Sequence, residues 1–255
     1  MQIVFDIGGT KLRIASSTDG QTLGPVVIFP TPQDFEEAMK LLELEIGKLA
    51  NGQSITAIAG GVPAVLNADK TEIFHSANLS DWSGKPLAKR LTEIFNCPIV
   101  LENDGALGAL GELHFGAGKD IKSLAYITIG TGIGGAWIQD DQLVKSTYNF
   151  DIGHQIIDPI GPLCNACQQP GHLEAYIKLP EFQKYLAMGL HNTLIHWPTE
   201  NIILGGGVTL HSDWDIPKME SELRELMKNY PQQIHIKICT LGDEAGLYGA
   251  LTLLS

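Results

Sequence analysis

"IVFDIGGTKLRIASS", residues 3–17, contains two apolar runs separated by an aspartate and a glycine-rich turn. Each run alternates as a β-strand does, so the segment predicts a strand, a turn at Gly8 and Gly9, and a second strand. Glycine lets the backbone approach a ligand closely, and successive N–H groups in such a turn can bind an anion. Taken alone, the segment fits a phosphate-binding turn and a plain β-hairpin equally well.

A second copy of this pattern, AYITIGTGIGGAWIQDDQL, spans residues 125–143. The repetition favours the phosphate-binding interpretation, because two such turns facing each other from two lobes could hold a polyphosphate from both sides. The spacing Gly130-x-Gly132-x-x-Gly135 also matches a dinucleotide-binding turn. That interpretation requires a helix directly after the glycines, and the following sequence alternates like a strand, so we reject it.

The sequence between the two copies alternates between helix-like and strand-like segments. Residues 32–50 carry apolar side chains at three- and four-residue steps, which predicts an amphipathic helix. Residues 54–65 and 97–104 are typical of buried parallel strands. The 255 residues suit one large domain or two lobes of roughly 100–150 residues each. Strands and helices in two similar halves predict an α/β protein of two lobes.

Charge and hydropathy narrow the classes of partner. The net charge is −12, and the 17 lysines and arginines are scattered, which argues against binding a nucleic acid. A small anion held by backbone N–H groups and a metal ion is compatible with this charge. No apolar run approaches the roughly 20 residues that span a bilayer, so we expect no membrane partner and a cytoplasmic protein.

The segment LENDGALGALGE, residues 101–112, follows a predicted strand and opens a helix of small residues. Asp104 lies at this junction, a position that faces the crevice in α/β folds. A carboxylate there can accept a proton from a hydroxyl group, or it can cap the helix. The cap interpretation suits Asn103 or Asp104, and the segment alone does not decide between the two functions.

With these segments in order, the chain resembles the ROK family of sugar kinases over nearly its whole length. The resemblance implies a two-lobed actin-like ATPase (ribonuclease H-like) α/β fold with duplicated phosphate-binding β-hairpins. We expect an N-terminal lobe at 1–115 and a C-terminal lobe at 116–255, and allow for the C-terminal helix at 242–255 packing back on the first lobe. The matching segments are DIGGTK (6–11), GVPA (61–64), ANLSDW (77–82), ENDGALGALGE (102–112), TIGTGIGG (128–135), DIGH (151–154), CNACQQPGHLEAY (164–176), LGGGV (204–208) and GDEAGLYGA (242–250).

The resemblance also implies a role for each matching residue in ATP-dependent phosphorylation of a hexose. Asp104 would be the general base that takes the proton of the sugar hydroxyl, and Asp6 would hold Mg²⁺ through water. The residues implied to contact ATP are Gly8, Gly9, Thr10 and Lys11 in the first turn, Thr131 and Gly132 in the second, and Gly205, Gly206 and Gly207 near the base and ribose. The residues implied to bind sugar hydroxyls are Asn78, Asn103, Asp104, Asp151, His154 and Glu174.

A structural Zn²⁺ site is the further implication of the resemblance. Its candidate ligands are His154, Cys164, Cys167 and His172, and two thiolates with two imidazoles suit tetrahedral zinc. The family pattern has one histidine and three cysteines in a C-x-C-G-x-x-G-C run. Here Cys164 is displaced by one residue and His172 replaces the last cysteine. The alternative is that the two cysteines are incidental and His154 faces the sugar.

Two departures from the family pattern bear on the substrate. Asp151 stands where the family has a glutamate, which is one methylene longer. Only residues 177–200 separate the LEAY segment from the next predicted strand, where relatives carry a long helical insertion. Glucose, phosphorylated at its 6-hydroxyl, is the first candidate substrate, and fructose, mannose or an N-acetylated hexosamine is the alternative. The resemblance allows a homodimer, although the insertion contributes to the dimer contact in relatives.

Other function classes are less favoured. A transcriptional repressor of the same family carries a DNA-binding module ahead of the first turn, and with Asp6 at residue six we expect none. A non-catalytic sugar sensor would not need an acid at both Asp6 and Asp104. Inorganic polyphosphate as the phosphoryl donor is disfavoured by the charge of −12.

Overall fold

The computed structural model describes residues 1–146, 148–230 and 233–254, and the chain divides into two compact units. Unit 1 comprises residues 1–114 together with the C-terminal segment that begins at Glu244. Unit 2 comprises the continuous segment Phe115–Asp243. Each unit combines a five-stranded sheet with helices, so the predicted α/β class is confirmed.

Twelve strands and seven α-helices occur within the described residues. The strands are β1 (Gln2–Ile7), β2 (Lys11–Ser17), β3 (Val27–Pro30), β4 (Ala57–Val62), β5 (Val65–Leu66), β6 (Ile73–His75), β7 (Ile99–Asn103), β8 (Leu124–Ile129), β9 (Ile133–Gln139), β10 (Gln142–Leu143), β11 (Asn201–Gly205) and β12 (His235–Ile238). The helices are α1 (Phe35–Ala50), α2 (Leu87–Phe95), α3 (Asp104–Phe115), α4 (Phe182–His196), α5 (Gly207–Leu210), α6 (Ile216–Leu226) and α7 (Ala245–Thr252).

The two sheets have the same topology. The strand order is β3-β2-β1-β4-β7 in unit 1 and β10-β9-β8-β11-β12 in unit 2. In each sheet three strands pair antiparallel, and two further strands extend the sheet in parallel. The sequence repeat at the two glycine turns is therefore a repeat of the whole sheet. β9 continues as a strand where a dinucleotide-binding turn would begin a helix, which agrees with the rejection of that interpretation.

Both faces of the sheet of unit 1 are covered, and β1 directs side chains to each of them. Ile3, Phe5 and Ile7 pack with α1 and α2 in one core. Successive side chains of a strand point to opposite faces, so Asp6 lies on the other face, where α7 packs against β1 and β4. Asp34 caps α1 by accepting a hydrogen bond from the Glu37 N–H at 2.8 Å.

The core of unit 2 lies between its sheet and the helices α4 and α6. Apolar residues of β8 and β11 pack with Leu186 and Leu190 of α4 and Leu223 of α6. Among the described residues between β10 and α4, the helical structure consists of single 3₁₀ turns at Ile152–His154 and Leu173–Tyr176. No helix in the described part of the chain has both the length and the apolar content needed to cross a bilayer.

Candidate functional site

The first glycine turn joins β1 to β2, and the segment after β3 holds it from one side. Thr31 donates its hydroxyl to the Gly8 carbonyl at 2.7 Å and its N–H to the Thr10 carbonyl at 3.0 Å. The Gln33 amide donates to the Gly9 carbonyl at 3.4 Å. These hydrogen bonds fix the conformation of the turn and satisfy three of its carbonyl oxygens.

Side chains around this turn include three of the predicted residues. Thr10 and Lys11 are exposed to solvent. Asn78 lies against the turn, since a methyl group built on Gly9 would be 3.3 Å from Asn78 Cβ. The turn and Asn78 thus come together in unit 1 although they are far apart in sequence.

Asp6 occupies a narrow space at the end of β1. Its Oδ2 atom lies 3.7 Å from Arg13 Nη1, and both side chains are largely buried. A methyl group built on Gly61 would be 3.1 Å from Asp6 Oδ1, and one built on Gly246 would be 2.7 Å from Asp6 Cγ. Two glycines from β4 and α7 therefore leave the space that this carboxylate fills.

Asp104 is the first residue of α3, directly after β7. Asn103 caps the helix, because its Oδ1 atom accepts hydrogen bonds from the N–H groups of Gly105 at 3.0 Å and Ala106 at 3.2 Å. The structure thus assigns the main cap contacts to Asn103. Asp104 Oδ1 accepts from the Gly105 N–H at 2.9 Å and from the Asn103 amide at 3.1 Å.

The surroundings of Asp104 favour its protonated form. Burial, and secondarily the negative charge of Asp6, raise the pKa of Asp104 to about 7. A methyl group built on Gly61 would contact Asp6 and also lie 3.5 Å from Asp104 Cα, so one glycine adjoins both acids. A carboxyl group with a pKa near neutrality can exchange a proton with a bound hydroxyl group.

The second glycine turn joins β8 to β9 in unit 2. The Gly130 N–H donates to the Gly132 carbonyl at 2.9 Å, and Thr131 is exposed. Glu174 lies against this turn: its Oε2 atom accepts a hydrogen bond from the Ile133 N–H at 3.4 Å. The turn therefore contacts a predicted sugar-binding residue within the same unit.

The glycines at 205–207 span the end of β11 and the start of α5, next to the end of β8. Gly206 has a φ of +88°, and a methyl group there would lie 2.4 Å from the Ile129 carbonyl oxygen. Both the backbone conformation and the space require glycine at this position. A methyl group on Gly205 would collide with the ring of Tyr126, whereas Gly207 faces open space. This places the glycine triplet beside the second turn.

His154, Cys164, Cys167 and His172 converge in unit 2. One potential ligand atom from each lies within 4.8 Å of all the others. Cys167 Sγ is 3.2 Å from His172 Nδ1, and the Nδ1 atom of His154 is buried without a hydrogen bond. Two thiols and two imidazoles are a donor set that suits tetrahedral zinc. A buried nitrogen without a hydrogen bond is also what a missing ligand would leave, so these residues fit a zinc ion.

Glu174 connects this cluster, which we call the His/Cys cluster, to its surroundings. The Cys164 thiol donates to Glu174 Oε1 at 2.8 Å, and His154 Nε2 is 3.6 Å from the same oxygen. Burial, followed by this hydrogen bond to Glu174, raises the pKa of the Cys164 thiol. Asp151 is more remote: its carboxylate is 70% exposed and lies 3.9 Å from His154 Nδ1.

Three residues near Asp6 were not among the predicted site residues: Arg13, Gly61 and Gly246. Arg13 could have been found, because a hairpin turn at Gly8–Lys11 pairs Asp6 with Arg13 across the strands, as the structure shows. The alternation of β1 would then have placed both charges on one face. Nothing in the sequence pattern relates Gly246 to Asp6, since the contact depends on how α7 packs.

A family model described as the ROK family matches residues 2–179 and 178–255 of the chain. The glucokinase of Thermotoga maritima is 28% identical over 201 residues, which cover 76% of this chain and 63% of that protein. An N-acetylmannosamine kinase of Vibrio vulnificus is 32% identical over 176 residues, which cover 68% of this chain and 59% of that protein. The matched region spans less than two thirds of the length of either relative.

The fold matches over its full length. A ROK family glucokinase from Streptomyces griseus, crystallised with glucose and AMPPNP, superposes with a TM-score of 0.81. The alignment covers 99% of this chain and 98% of that chain at 21% identity, a likeness that concerns the fold. With matches to the family model that together span residues 2–255, the chain belongs to the ROK family.

Proposed function

We propose that this protein transfers a phosphoryl group from ATP to a hexose in the presence of Mg²⁺, with glucose and its 6-hydroxyl as the acceptor. The observation that carries the proposal is Asp104, a carboxyl group at a strand–helix junction whose pKa is about 7. Such a group can take the proton of an attacking hydroxyl at neutral pH. The helix cap at Asn103 leaves Asp104 available for this chemistry.

The remaining groups of unit 1 suit charge neutralisation and positioning. Phosphoryl transfer requires little covalent help from the protein, but it requires the phosphates and the nucleophile to be fixed. In this proposal Asp6 holds the hydrated Mg²⁺, and the N–H groups of the first turn with Lys11 approach the transferring phosphate. Asn78 binds sugar hydroxyls through the donors and the acceptor of its amide. Asn103 binds them through its remaining amide N–H, since its Oδ1 atom caps α3.

Unit 2 would supply further contacts to nucleotide and sugar. Thr131 and Gly132 would contact phosphates, and Gly205–Gly207 would border the base and ribose. The likeness to a glucokinase crystallised with AMPPNP supports this assignment. His154, Glu174 and Asp151 would bind sugar hydroxyls, with Asp151 contributing least because its carboxylate is the most exposed of the three.

The His/Cys cluster would hold a structural Zn²⁺. Zinc would replace the thiol protons of Cys164 and Cys167 and fix the segment that contains His154 and Glu174. The proposal is supported by the four convergent side chains and by the unsatisfied nitrogen of His154. No step of the phosphoryl transfer involves this ion.

N-acetylmannosamine is a second candidate substrate, favoured by the relative from Vibrio vulnificus. Fructose and mannose are further candidates, and a non-catalytic sugar sensor is the alternative outside the enzymes. A sensor has no use for a base whose pKa lies near neutrality. A measurement of catalytic activity therefore distinguishes a sugar kinase from a sugar sensor.

A coupled ADP-release assay over a panel of sugars tests the proposal. The panel contains glucose, mannose, fructose, N-acetylglucosamine and N-acetylmannosamine, with ATP and Mg²⁺, and Asp104→Asn serves as the inactive control. ADP release that depends on a hexose and is lost in the variant would support a kinase. Sugar binding measured by calorimetry without any ADP release would instead support the sensor.

A further inference from the structure

Glu174 uses its two carboxylate oxygens on two different neighbours. Oε1 accepts a hydrogen bond from the Cys164 thiol at 2.8 Å and lies 3.6 Å from His154 Nε2. Oε2 accepts from the Ile133 N–H at 3.4 Å, at the end of the second glycine turn. The side chain is about 10% exposed, so water competes little for either oxygen.

The contact with the turn also involves packing. A methyl group on Gly132 would lie 2.9 Å from Glu174 Oε2, and one on Gly153 would lie 3.1 Å from it. The carboxylate therefore fills the space between the second turn and the short helix that contains His154. If Glu174 moved, both the second turn and that short helix would lose a packing contact.

The position of Glu174 depends on the His/Cys cluster through the backbone as well. Glu174 lies in the 3₁₀ helix Leu173–Tyr176, which begins directly after His172. The Leu173 N–H donates to the Gln155 carbonyl at 3.0 Å, next to His154. Two residues of the cluster therefore flank the segments that fix the Glu174 backbone, and a third, Cys164, contacts its side chain.

We propose that Glu174 is a positioning residue that links the His/Cys cluster to the second glycine turn, so that loss of the metal weakens nucleotide binding. Without a shared metal, the four side chains have no common ligand, and the segments around Glu174 can relax. Oε2 then loses its fixed position beside the Ile133 N–H. The inference rests on the proposed function in one respect, namely that the second turn contacts nucleotide phosphates.

A sugar-binding role for Glu174 alone leads to a different expectation. In that case metal removal would lower sugar affinity and leave nucleotide affinity unchanged. The affinity for AMPPNP, measured by calorimetry in the absence of sugar, therefore separates the two roles without any turnover. The measurement compares metal-free protein with the same protein reloaded with stoichiometric Zn²⁺.

We expect the Kd of the wild-type protein for AMPPNP to rise about three- to tenfold on metal removal, the effect of roughly one hydrogen bond. Glu174→Ala removes the carboxylate and with it the acceptor of the Ile133 N–H. The Kd of this variant should already be raised with Zn²⁺ bound, and metal removal should change it less than about twofold. Glu174→Asp, one methylene shorter, should behave in the same way and is a second variant if the first does not fold.

Asp158→Asn is the matched control. Asp158 is a carboxylate of the same segment that accepts a hydrogen bond from the Tyr176 hydroxyl at 3.3 Å. The control should keep the metal dependence of the wild-type protein.

The inference is overturned if metal removal changes the Kd of Glu174→Ala by the same factor as the Kd of the wild-type protein. It is also overturned if metal removal changes neither Kd. Failure of the proposed function would look different. Wild-type protein with Zn²⁺ bound would then be folded and would not bind AMPPNP, which overturns both.

Discussion

Gly246 of helix α7 lies directly against the carboxylate of Asp6, and a methyl group at residue 246 would be 2.7 Å from Asp6 Cγ. The contact joins the first strand of unit 1 to its last helix. α7 can approach this closely only because Gly246 has no side chain, and the same helix packs against α3 through Gly249. The orientation of Asp6 is therefore set by a residue from the other end of the chain.

Gly246→Ala should displace Asp6 and lower activity. Overpacking of this kind costs about 1–3 kcal/mol of stability, and a misplaced active-site group lowers kcat/KM by about 10- to 100-fold. Urea unfolding and steady-state kinetics measure the two effects. Gly47→Ala in α1 is the control, since its methyl group would meet nothing within 4 Å and alanine favours the helix. Equal kinetics in both variants would contradict the assigned role of Asp6.

Asp104→Asn should lower kcat by about 10²- to 10⁴-fold, the usual contribution of a general base. Sugar affinity should change little, because the amide keeps most of the hydrogen-bonding shape of the carboxyl group. Single-turnover kinetics with calorimetric sugar binding measure both quantities. If the variant retains more than about a tenth of the wild-type kcat, another group accepts the proton.

The raised pKa of Asp104 also predicts how stability depends on pH. The ordinary pKa of an aspartate is 3.8, and the folded value is about 7, so between these values the folded state binds more protons than the unfolded state. The contribution of Asp104 to stability is complete below about pH 4 and is lost as the pH rises through 7. By pH 8 the free energy of unfolding should have lost on the order of 4 kcal/mol of the contribution that the protonated Asp104 makes at low pH.

Asp104→Asn removes this pH dependence. The free energies of unfolding of the variant and the wild-type protein should be similar at pH 4.5, and the variant should be the more stable at pH 8. Urea titrations of metal-free protein at both pH values provide the measurement. A difference that is the same at both pH values would exclude a strongly raised pKa.

Zinc should be present at a ratio of about one ion per chain, as expected for a structural site with four protein ligands. Elemental analysis of protein purified without chelator measures this ratio, and chelation should lower the melting temperature. Cys167→Ser should lose the metal, whereas Cys97→Ser, a buried cysteine in unit 1, should keep it. A melting temperature unaffected by chelation would leave the two cysteines of the cluster as incidental.

Selectivity among hexoses should be modest. Asp151 is highly exposed and shorter than the glutamate of the family pattern, and few residues follow Tyr176 before β11. Several hexoses should therefore have kcat/KM values within about a hundredfold of the best. Asp151→Glu should raise selectivity about three- to tenfold if the longer side chain gains a hydrogen bond. A preference of more than about ten-thousandfold for one sugar would contradict this expectation.

The parts of the fold that follow from local pattern could be predicted from sequence. The two hairpins, the parallel strands β4 and β7 and the start of α3 at Asp104 each have a regular alternation or a clear boundary. The ligand types of the His/Cys cluster were also recognisable, and the structure brings them together.

Contacts between distant segments could not be predicted. Glu174 meets Cys164 and Ile133 because of the path of residues 144–172, which contain no strand or α-helix among those described and therefore no periodic signal. The contact of Asp6 with Gly246 depends on the packing of α7. In each case the position of a candidate functional side chain is set by tertiary structure and not by its own segment.

The inclusion of α7 in unit 1 has a consequence for the order of folding during synthesis. Unit 2 is one continuous segment, whereas unit 1 needs residues on both sides of it. Domains tend to fold as units once their residues are available. Unit 2 can therefore form while unit 1, although most of it is synthesised first, still lacks the helix that closes over Asp6. The N-terminal strands must wait, with part of one face of their sheet uncovered, until residues 245–252 have been added.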